Sequence, residues 1–311
     1  MLHGLTTKTS LVICAKAKTV TAKVLGGLGN QLFIYATARA LALRLNRQLL
    51  LDYDMFRYDT VYKRTFLLDK IPGVQAYIKP GKDISSFSSL RHAAIRRLNL
   101  ITPPAWRNYL TESYPSHYMS DLVNINYCRK NITIEGYWQS EKYFIASRQQ
   151  LLAELRPPEY LDEEGKRDLL KIRNARWPTA VALRFFREIP NFQSSIQQNK
   201  NEYLSAIKQI REKNRGAEIF IFTEEPSFAL ELLREAMPFV VVTHRPLSRD
   251  AFQNLYLMTE CVEYVIGVSS YHWWGAWLSK TANARVHFIQ PKELNINRDY
   301  APESWYLHGK I

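Results

Sequence analysis

The stretch VLGGLGNQLFIYATARALALRLNRQLLLDYD (residues 24–54) decides how the first half of this chain folds. It contains an apolar strand, a turn with three glycines, an apolar helix, a second strand and two acids. A glycine turn between strand and helix, with an acid about 20 residues later, is the fingerprint of a dinucleotide-binding βαβ unit. Gly27 and Gly29 lie in the turn and Asp52 lies 23 residues after Gly29, but Leu32 occupies the third glycine position. The turn therefore predicts either a phosphate cradle or a structural bend into a buried helix.

The second half repeats this alternation more regularly. Helical segments separate apolar runs at 179–185, 217–225, 239–245, 263–270 and 285–291. Such alternation predicts parallel sheets with helices on both faces. The proline-containing segment RPPEY (156–160) is the best linker. We therefore expect a leader at 1–22, a first domain at 23–157 and a second at 158–311.

The composition is that of an ordinary globular protein. Its 311 residues suit two domains, and 46% of them are hydrophobic. Cys14, Cys128 and Cys261 are far apart and form no CxxC pair, which favours a reducing compartment over a disulfide or zinc framework. No run approaches the roughly 18 apolar residues of a transmembrane helix. These features predict a soluble cytoplasmic protein.

The charge is strongly unbalanced. A formal net charge of +13 indicates an anionic partner: nucleic acid, an acidic bilayer surface or a phosphorylated small molecule. The basic segment SSFSSLRHAAIRRLNLI (85–101) predicts an amphipathic helix with Leu90, Ala94, Leu98 and Ile101 on one side. An ordinary surface helix is the favoured interpretation, and a membrane-surface or partner-binding role stays open.

Five segments resemble the motifs of the α-1,2-fucosyltransferases, glycosyltransferase family 11, in the family's order. They are GGLGNQLFIYA (26–36), GYWQSEKYF (136–144), ALRFF (182–186), FTEEP (222–226) and VSSYHWWGAWL (268–278). Two motifs depart from the family pattern. Ala182 replaces a histidine, Phe185 and the two residues after it replace an Arg-Gly-Asp run, Val268 replaces an asparagine and His272 replaces a serine. Arg184 is retained, as is the serine pair of the last block.

The resemblance implies an α/β protein of the GT-B type, with two Rossmann-like domains facing a central cleft. It implies GDP-fucose as donor, bound by the C-terminal domain, and a terminal β-galactoside as acceptor. It also implies inversion without a metal or other cofactor. Asp52 and Asp54 form a carboxylate pair that could hold a metal, but a metal site is disfavoured because the pair falls in the acceptor-side half.

A metal-free reaction needs protein cations and amides to meet the charge that develops on the leaving GDP. Arg184 follows a strand of the second half, and its planar fork suits a bidentate phosphate contact. Ser269 and Ser270 would offer hydroxyls and helix-terminal amides to the pyrophosphate, and we include Tyr271 and His272 in the same donor-binding segment. The tryptophans that follow are expected to pack in the core.

Carboxylates near this edge have several predicted roles. Glu224 and Glu225 would accept hydrogen bonds from the guanine or the ribose, or would only charge the next helix's N-terminus. Glu188, four residues after Arg184, is the candidate general base that removes the acceptor proton, with His272 and Asp52 as alternatives.

In the first half, we expect Gly26, Gly27, Gly29, Asn30 and Gln31 to form a loop that faces the cleft. The two amide side chains would bind sugar hydroxyls or the sugar phosphate. The predicted enzyme thus acts on an O-antigen or another surface polysaccharide, in the cytoplasm or peripherally at the anionic inner face of the plasma membrane.

Two other functions stay open at this point. One is an NAD(P)- or FAD-dependent oxidoreductase that uses the glycine turn. The other is a basic nucleic-acid-binding protein, which charge alone favours, since no nucleic-acid-binding motif accompanies it. We therefore expect no nucleic-acid partner.

Overall fold

The computed structural model describes residues 17–60, 62–79, 89–112, 117–185, 199–243, 249–290 and 299–308. In these ranges the chain forms two α/β units, each built on a sheet of parallel strands, as the alternating apolar runs predict. The first sheet contains β1 (Thr19–Lys23), β2 (Gln48–Asp52), β3 (Tyr77–Lys79), β4 (Tyr109–Thr111) and β5 (Asn131–Glu135). The second contains β6 (Trp177–Leu183), β7 (Ala217–Thr223), β8 (Val240–Thr243), β9 (Glu263–Ile266), β10 (Arg285–Ile289) and β11 (Tyr306–His308).

Helices connect the strands. They are α1 (Leu28–Arg44), α2 (Ser89–Ile101), α3 (Ser120–Asn124), α4 (Arg148–Glu154), α5 (Glu163–Asn174), α6 (Lys200–Lys213), α7 (Pro226–Leu232), α8 (Arg249–Thr259) and α9 (Ser270–Trp277). The alternation predicted for the second half is confirmed, strand by strand and helix by helix. Helix α1 is buried on nearly every face, which suits its apolar composition and its place between the first sheet and α9.

Each sheet reverses its strand order at one point. The second sheet has the order β8-β7-β6-β9-β10-β11, so the chain moves outward in one direction from β6 and in the other from β9. The first sheet, ordered β3-β2-β1-β5-β4, reverses between β1 and β5. Open α/β sheets bind ligands in the crevice beyond the carboxyl ends of the strands at such a switch point. The residues that follow these four strands are therefore the natural place for a site.

The first sheet begins earlier in the chain than the sequence predicted. β1 starts at Thr19, four residues before the expected start of the first domain, and it pairs with both β2 and β5. The β-branched residues Thr19, Val20 and Thr21 favour an extended backbone, and Val20 is fully buried. The expected leader at 1–22 was therefore too long, because part of it forms the central strand of a sheet.

Aromatic side chains of α1 and α9 join the two units. The ring of Phe33 lies 4.5 Å from that of Trp273 and 5.1 Å from that of Trp274, centroid to centroid. Both tryptophans are fully buried, and Trp277 is buried as well. The expectation that these tryptophans pack in the core is confirmed. Their packing holds the first turns of α1 and α9 beside each other.

The GYWQSEKYF motif also links the units. The indole Nε1 of Trp277 donates a hydrogen bond to Oε2 of Glu141 at 3.1 Å, and Nζ of Lys142 lies 2.7 Å from Oδ1 of Asp299. The guanidinium of Arg148 lies over the Trp277 ring, 4.2 Å from its centroid. This motif therefore has a clear structural role at the junction between the two units.

Candidate functional site

Arg184 and Glu224 meet at the carboxyl edge of the second sheet. β6 and β7 pair in register up to Leu183 and Thr223, so the next residue of each chain segment leaves the sheet at the same point. There Nη1 of Arg184 donates to Oε1 of Glu224 at 2.5 Å, and the amide of Phe185 donates to the same oxygen at 2.6 Å. Two predicted site residues are thus brought together as an ion pair.

This ion pair orients the arginine. Glu224 is the more buried partner, with 9% of its side chain exposed against 21% for Arg184. Its Oε2 atom is buried and has no hydrogen-bond partner in the part of the chain that the structure describes. The main contact of the Glu224 carboxylate is therefore the ion pair with Arg184. Only its Oε2 atom is left to accept a hydrogen bond from a ligand. A contact from Glu224 to a base or a ribose stays a prediction.

Glu225 is the N-cap residue of α7. Its side chain makes no capping hydrogen bond, and its amide donates to Oγ1 of Thr223 at 3.0 Å. A carboxylate at a helix N-terminus interacts favourably with the helix dipole. The structure therefore places Glu225 as the second of its two predicted roles requires, while a ligand contact stays a prediction.

Ser269 is the N-cap residue of α9. Its Oγ accepts a hydrogen bond from the amide of His272 at 3.4 Å. The hydroxyl that was expected to meet an anion therefore satisfies one of the orphan amides of the helix, because an unpaired N–H there is costly. Ser270 is half-buried and is the first residue of α9. A ligand contact from Ser270 stays a prediction.

Tyr271 and His272 make contacts within the protein rather than with an open cleft. His272 is only 1% exposed, and its ring lies 5.7 Å from that of Tyr271. The hydroxyl of Tyr271 donates to the carbonyl of Ala251 in α8. These contacts support a packing role for both residues, and their predicted contact with a donor stays a prediction.

The glycines between β1 and the first turn of α1 have different structural roles. They are Gly26, Gly27 and Gly29. Gly26 has φ +79°, a conformation that favours glycine, and Gly27 is the N-cap of α1. Gly29 lies within α1, where a Cβ atom would come 2.3 Å from the amide nitrogen of Tyr271 and 2.4 Å from the carbonyl carbon of Ser270. The glycine therefore permits close contact between the first turns of two helices.

Gln31 does not face a cleft, which corrects the sequence-based expectation. Its side chain is fully buried within α1. Nε2 donates to the carbonyls of Gly26 and Thr65, each at 2.9 Å, and Oε1 accepts from the amide of Leu67 at 2.9 Å. All of these partners are backbone groups, because a buried amide must satisfy its polar atoms internally. Gln31 thus fixes the glycine turn to the segment around Leu67.

Asn30 lies in the first turn of α1, not in a loop as predicted, and connects this helix to the turn that follows β5. Its Oδ1 accepts a hydrogen bond from Nε2 of Gln139 at 2.8 Å, and Asn30 itself is half-buried. Gln139 belongs to the GYWQSEKYF motif, so two of the resembling motifs meet at the switch point of the first sheet. The predicted sugar contact of Asn30 stays a prediction.

Sequence reasoning missed a group of side chains around this first switch point. The guanidinium of Arg64 reaches the turn, since a Cβ on Gly27 would lie 2.5 Å from its Nη1, and its Cζ lies 5.4 Å from the ring centroid of Tyr62. Tyr62 and Tyr137 are 52% and 39% exposed. Glu112 accepts from the Tyr137 amide at 2.8 Å, and burial raises the pKa of its carboxyl. Tyr137 lies in a quoted motif, but no local signal marks Arg64.

The electrostatics at this junction favour an anion. The first turns of α1 and α9 meet, and neither contains an acidic residue. Each helix N-terminus carries a partial positive charge, and two such ends repel unless an anion lies between or beside them. Arg64 approaches from the first unit, while Arg184 follows β6, the neighbour of β9.

The carboxylates considered for metal binding and base catalysis are placed less favourably. Oδ2 of Asp52 forms a buried ion pair with Nζ of Lys23 at 2.9 Å, and its Oδ1 accepts from the amide of Asp54 at 3.1 Å. Asp52 is thus already neutralised by a protein cation. Glu188, the preferred general base, lies outside the described residues, so its role stays a prediction.

The comparison with protein families decides the identity. The family model described as Glycosyl transferase family 11 matches residues 19–308, which is nearly the whole chain. This chain belongs to glycosyl transferase family 11. The match begins at Thr19, the first residue of β1. This family 11 protein is therefore a glycosyltransferase, and its resemblance to the family motifs is confirmed.

Curated relatives of this glycosyltransferase come from Escherichia coli. An alpha-1,2-colitosyltransferase is 23% identical over 294 residues, covering 92% of this chain and 97% of the relative. The O-antigen biosynthesis glycosyltransferase WbnK is 25% identical over 283 residues, covering 82% of this chain and 88% of the relative.

Solved structures share the fold of this glycosyltransferase. A mutant of Arabidopsis thaliana FUT1 in complex with GDP aligns with a TM-score of 0.53 at 12% identity, over 89% of this chain and 71% of that one. The fucosyltransferase NodZ from Bradyrhizobium aligns with a TM-score of 0.50 at 14% identity, over 84% and 91%. The predicted GT-B architecture of two Rossmann-like units is confirmed. Among the described residues, no helix has the length and apolar character to cross a bilayer.

Proposed function

We propose that this family 11 glycosyltransferase moves L-fucose from GDP-fucose to the 2-hydroxyl of a terminal β-galactoside on a surface polysaccharide such as an O-antigen. The transfer inverts the anomeric centre. The observation that carries the proposal is the meeting of two helix N-termini without acidic residues, beside the edge where Arg184 leaves the sheet. A pyrophosphate would supply the negative charge that these two helix N-termini lack.

Arg184 is the proposed partner of the leaving phosphate. Negative charge on the GDP grows as the bond between the sugar and its phosphate oxygen breaks, and a fixed guanidinium stabilises that charge best in the transition state. The ion pair with Glu224 supports this role, because it holds the guanidinium in one orientation before the donor binds. A guanidinium that is already oriented needs no reorganisation during the reaction.

The acceptor would bind at the switch point of the first sheet. The exposed rings of Tyr62 and Tyr137 offer apolar faces of the kind that sugar rings can stack on, and Asn30 and Gln139 supply amides for hydroxyl groups. Glu188 is the proposed general base, with Asp52 and His272 less favoured because both are buried. We propose that no metal takes part, since Arg184 and the amides at the start of α9 would meet the pyrophosphate charge.

A second donor deserves a parallel test. The alpha-1,2-colitosyltransferase relative aligns over 97% of its own length, which favours colitose, a deoxy relative of fucose, as an alternative sugar. The oxidoreductase hypothesis is disfavoured, because the contact of Gly29 with Ser270 and Tyr271 closes the glycine turn that a dinucleotide would use. Nucleic-acid binding keeps no support beyond net charge.

The deciding experiment supplies purified protein with GDP-fucose or GDP-colitose and a panel of β-galactosides, followed by NMR of the products. An α-1,2 linkage from GDP-fucose is the expected result, and exclusive use of GDP-colitose would replace the donor. GDP should also raise the melting temperature, while NAD(P) should not. Stabilisation by NAD(P) without stabilisation by GDP would overturn the transferase assignment.

A further inference from the structure

Helix α2 exposes its apolar side chains. Leu98, Leu100 and Ile101 are 59%, 83% and 80% exposed. Asn99, between them, faces the protein, where its Nδ2 donates to the carbonyl of Tyr109 at 3.0 Å. Leu98 and Ile101 lie three residues apart and therefore share one face of the helix. The apolar stripe that the sequence predicts thus points away from the protein at its C-terminal end, rather than into the core.

The apolar exposure continues past the end of α2. Trp106, in the short turn after the helix, is 53% exposed. Its carbonyl accepts a hydrogen bond from Nε of Arg129 at 3.1 Å, and the Arg129 guanidinium lies 5.2 Å from its ring centroid. We call Leu98, Leu100, Ile101 and Trp106 the α2 surface. Tryptophan is enriched where an apolar region meets water at a membrane interface.

The charge around the α2 surface is mainly positive. From residue 84 to residue 111 the sequence contains four arginines, one histidine and no aspartate or glutamate. Arg97, Arg129 and Lys130 are exposed. Asp121 approaches this side of the molecule, and it lies 3.8 Å from Nη1 of Arg107, which partly neutralises it. An occupant of this surface must therefore be apolar in part and negatively charged in part.

We propose that the α2 surface docks this protein onto an anionic membrane. An interfacial amphipathic segment inserts apolar side chains at the headgroup boundary, while its arginines contact acidic lipid headgroups. A second copy of the chain fits less well, because a symmetric dimer through this surface would set Arg97 and its neighbours against the same cations. The inference concerns binding alone, so it does not depend on which sugar is transferred.

Vesicle co-sedimentation tests this surface directly. The full chain should pellet with vesicles of equimolar phosphatidylcholine and phosphatidylglycerol, and much less with phosphatidylcholine alone. Binding should fall as sodium chloride rises, because salt screens the headgroup attraction. A wild-type protein that binds neither vesicle, or both equally, would overturn the proposal.

Matched variants distinguish membrane binding through the α2 surface from nonspecific adsorption of the protein to vesicles. The double variant Leu98→Asp/Ile101→Asp should weaken binding by about tenfold or more, since two apolar side chains no longer insert. Leu170→Asp is the control, because Leu170 is a helical leucine of α5 with 60% exposure, matching Leu98. It should bind like wild type. All proteins should keep the same melting temperature and the same response to GDP.

Two outcomes would assign the surface differently. If the double variant and Leu170→Asp bind equally, the α2 surface is not the membrane contact. If wild type forms a concentration-dependent dimer that the double variant disperses, while vesicles bind neither protein, the surface is an interface between copies. Failure of sugar transfer by the wild-type protein, with its expected vesicle binding intact, would bear on the proposed reaction and not on this inference.

Discussion

Two strand–turn–helix connections of this protein look alike but do different work. The turn from β1 to α1 and the turn from β9 to α9 both leave a central strand at a switch point, and the helices that follow meet at their first turns. In the first turn, Gly27 is an N-cap without a side-chain hydrogen bond. In the second, the Ser269 hydroxyl caps the helix. Only the second turn follows a strand that is adjacent to β6, the strand that precedes Arg184.

The difference shows why a glycine fingerprint alone does not identify a phosphate site. Gly29 is required because the backbone of another helix approaches it, and this packing contact explains the glycine without a bound phosphate. Anion binding instead depends on amides and cations, and we propose that the second turn and its neighbour Arg184 provide them together. We call the turn from β1 to α1 with its neighbouring strands the first side, and the turn from β9 to α9 with Arg184 the second side.

The largest expected effect concerns the general base on the second side. Glu188→Gln should lower kcat by about 10²–10⁴, the usual contribution of such a group, while GDP binding is kept. Steady-state kinetics with GDP titration would measure both. Glu212→Gln, in the exposed last turn of α6, is the control and should behave as wild type. A near-normal kcat for Glu188→Gln would move the role to His272 or Asp52.

Removal of the arginine should have the next largest effect. Arg184→Ala should cost roughly 3 kcal/mol or more in kcat/KM, comparable to the loss of a preorganised oxyanion donor. The loss should appear mainly in kcat, because the contact strengthens as charge develops on the phosphate. Arg184→Lys should restore only part of the rate, since an ammonium lacks the bidentate fork.

Stability has to be followed in these arginine variants. Arg184→Ala leaves the buried Glu224 carboxylate without its cation, and an unpaired buried charge is destabilising. Glu224→Gln therefore serves as a reference, and only proteins with two-state unfolding and a normal circular dichroism spectrum are compared. A folded Arg184→Ala enzyme within about threefold of wild-type kcat/KM, under 1 kcal/mol, would show that the donor phosphate binds elsewhere.

A smaller effect, on stability, distinguishes the two glycines of the first turn. Gly29→Ala should lower the free energy of unfolding by about 1–3 kcal/mol, because its Cβ meets backbone atoms of Ser270 and Tyr271 that cannot yield separately. Helix propensity alone would favour alanine by about 0.5–1 kcal/mol, so any net loss reports the packing. Urea denaturation measures the difference.

Gly27→Ala is the matched control for that comparison. Gly27 has φ −72°, which alanine adopts without strain, and its Cβ would meet only the end of the flexible Arg64 side chain. Its unfolding free energy should change less than that of Gly29→Ala. If Gly29→Ala is as stable as wild type, the contact between α1 and α9 is not the reason for the glycine.

Sequence reasoning succeeds here where a local pattern has a fixed structural consequence. The alternation of apolar runs and helical periods predicts both sheets, and the ends of neighbouring parallel strands lie together. Arg184 and Glu224 could therefore be placed at one edge although 40 residues separate them. The boundary of the first domain was missed because residues 19–22 were read as part of a leader rather than as a β-strand.

Contacts between distant irregular segments were not predictable. Gln31 binds the backbone of Thr65, 34 residues away, and no spacing rule encodes that contact. Arg64 approaches Gly27 from the same irregular segment. The outward direction of Leu98 and Ile101 was also hidden, because periodicity defines an apolar face without saying what covers it.

The smallest expected effect is that of a chelator. The first side holds the carboxylate pair Asp52 and Asp54, and a metal-dependent reaction would need such a pair beside the pyrophosphate. The ion pair of Asp52 with Lys23 at 2.9 Å already neutralises one carboxylate, and a divalent cation would have to displace the ammonium. Turnover should therefore persist in excess EDTA, and Asp54→Asn should leave the rate nearly unchanged, as radiolabelled transfer assays would show.

Loss of turnover in EDTA that magnesium or manganese restores would assign the charge stabilisation to a metal. The first side would then be part of the donor site. If Asp54→Asn alone abolishes that rescue, the two carboxylates hold the metal, and the contrast between a packing side and an anion-binding side fails.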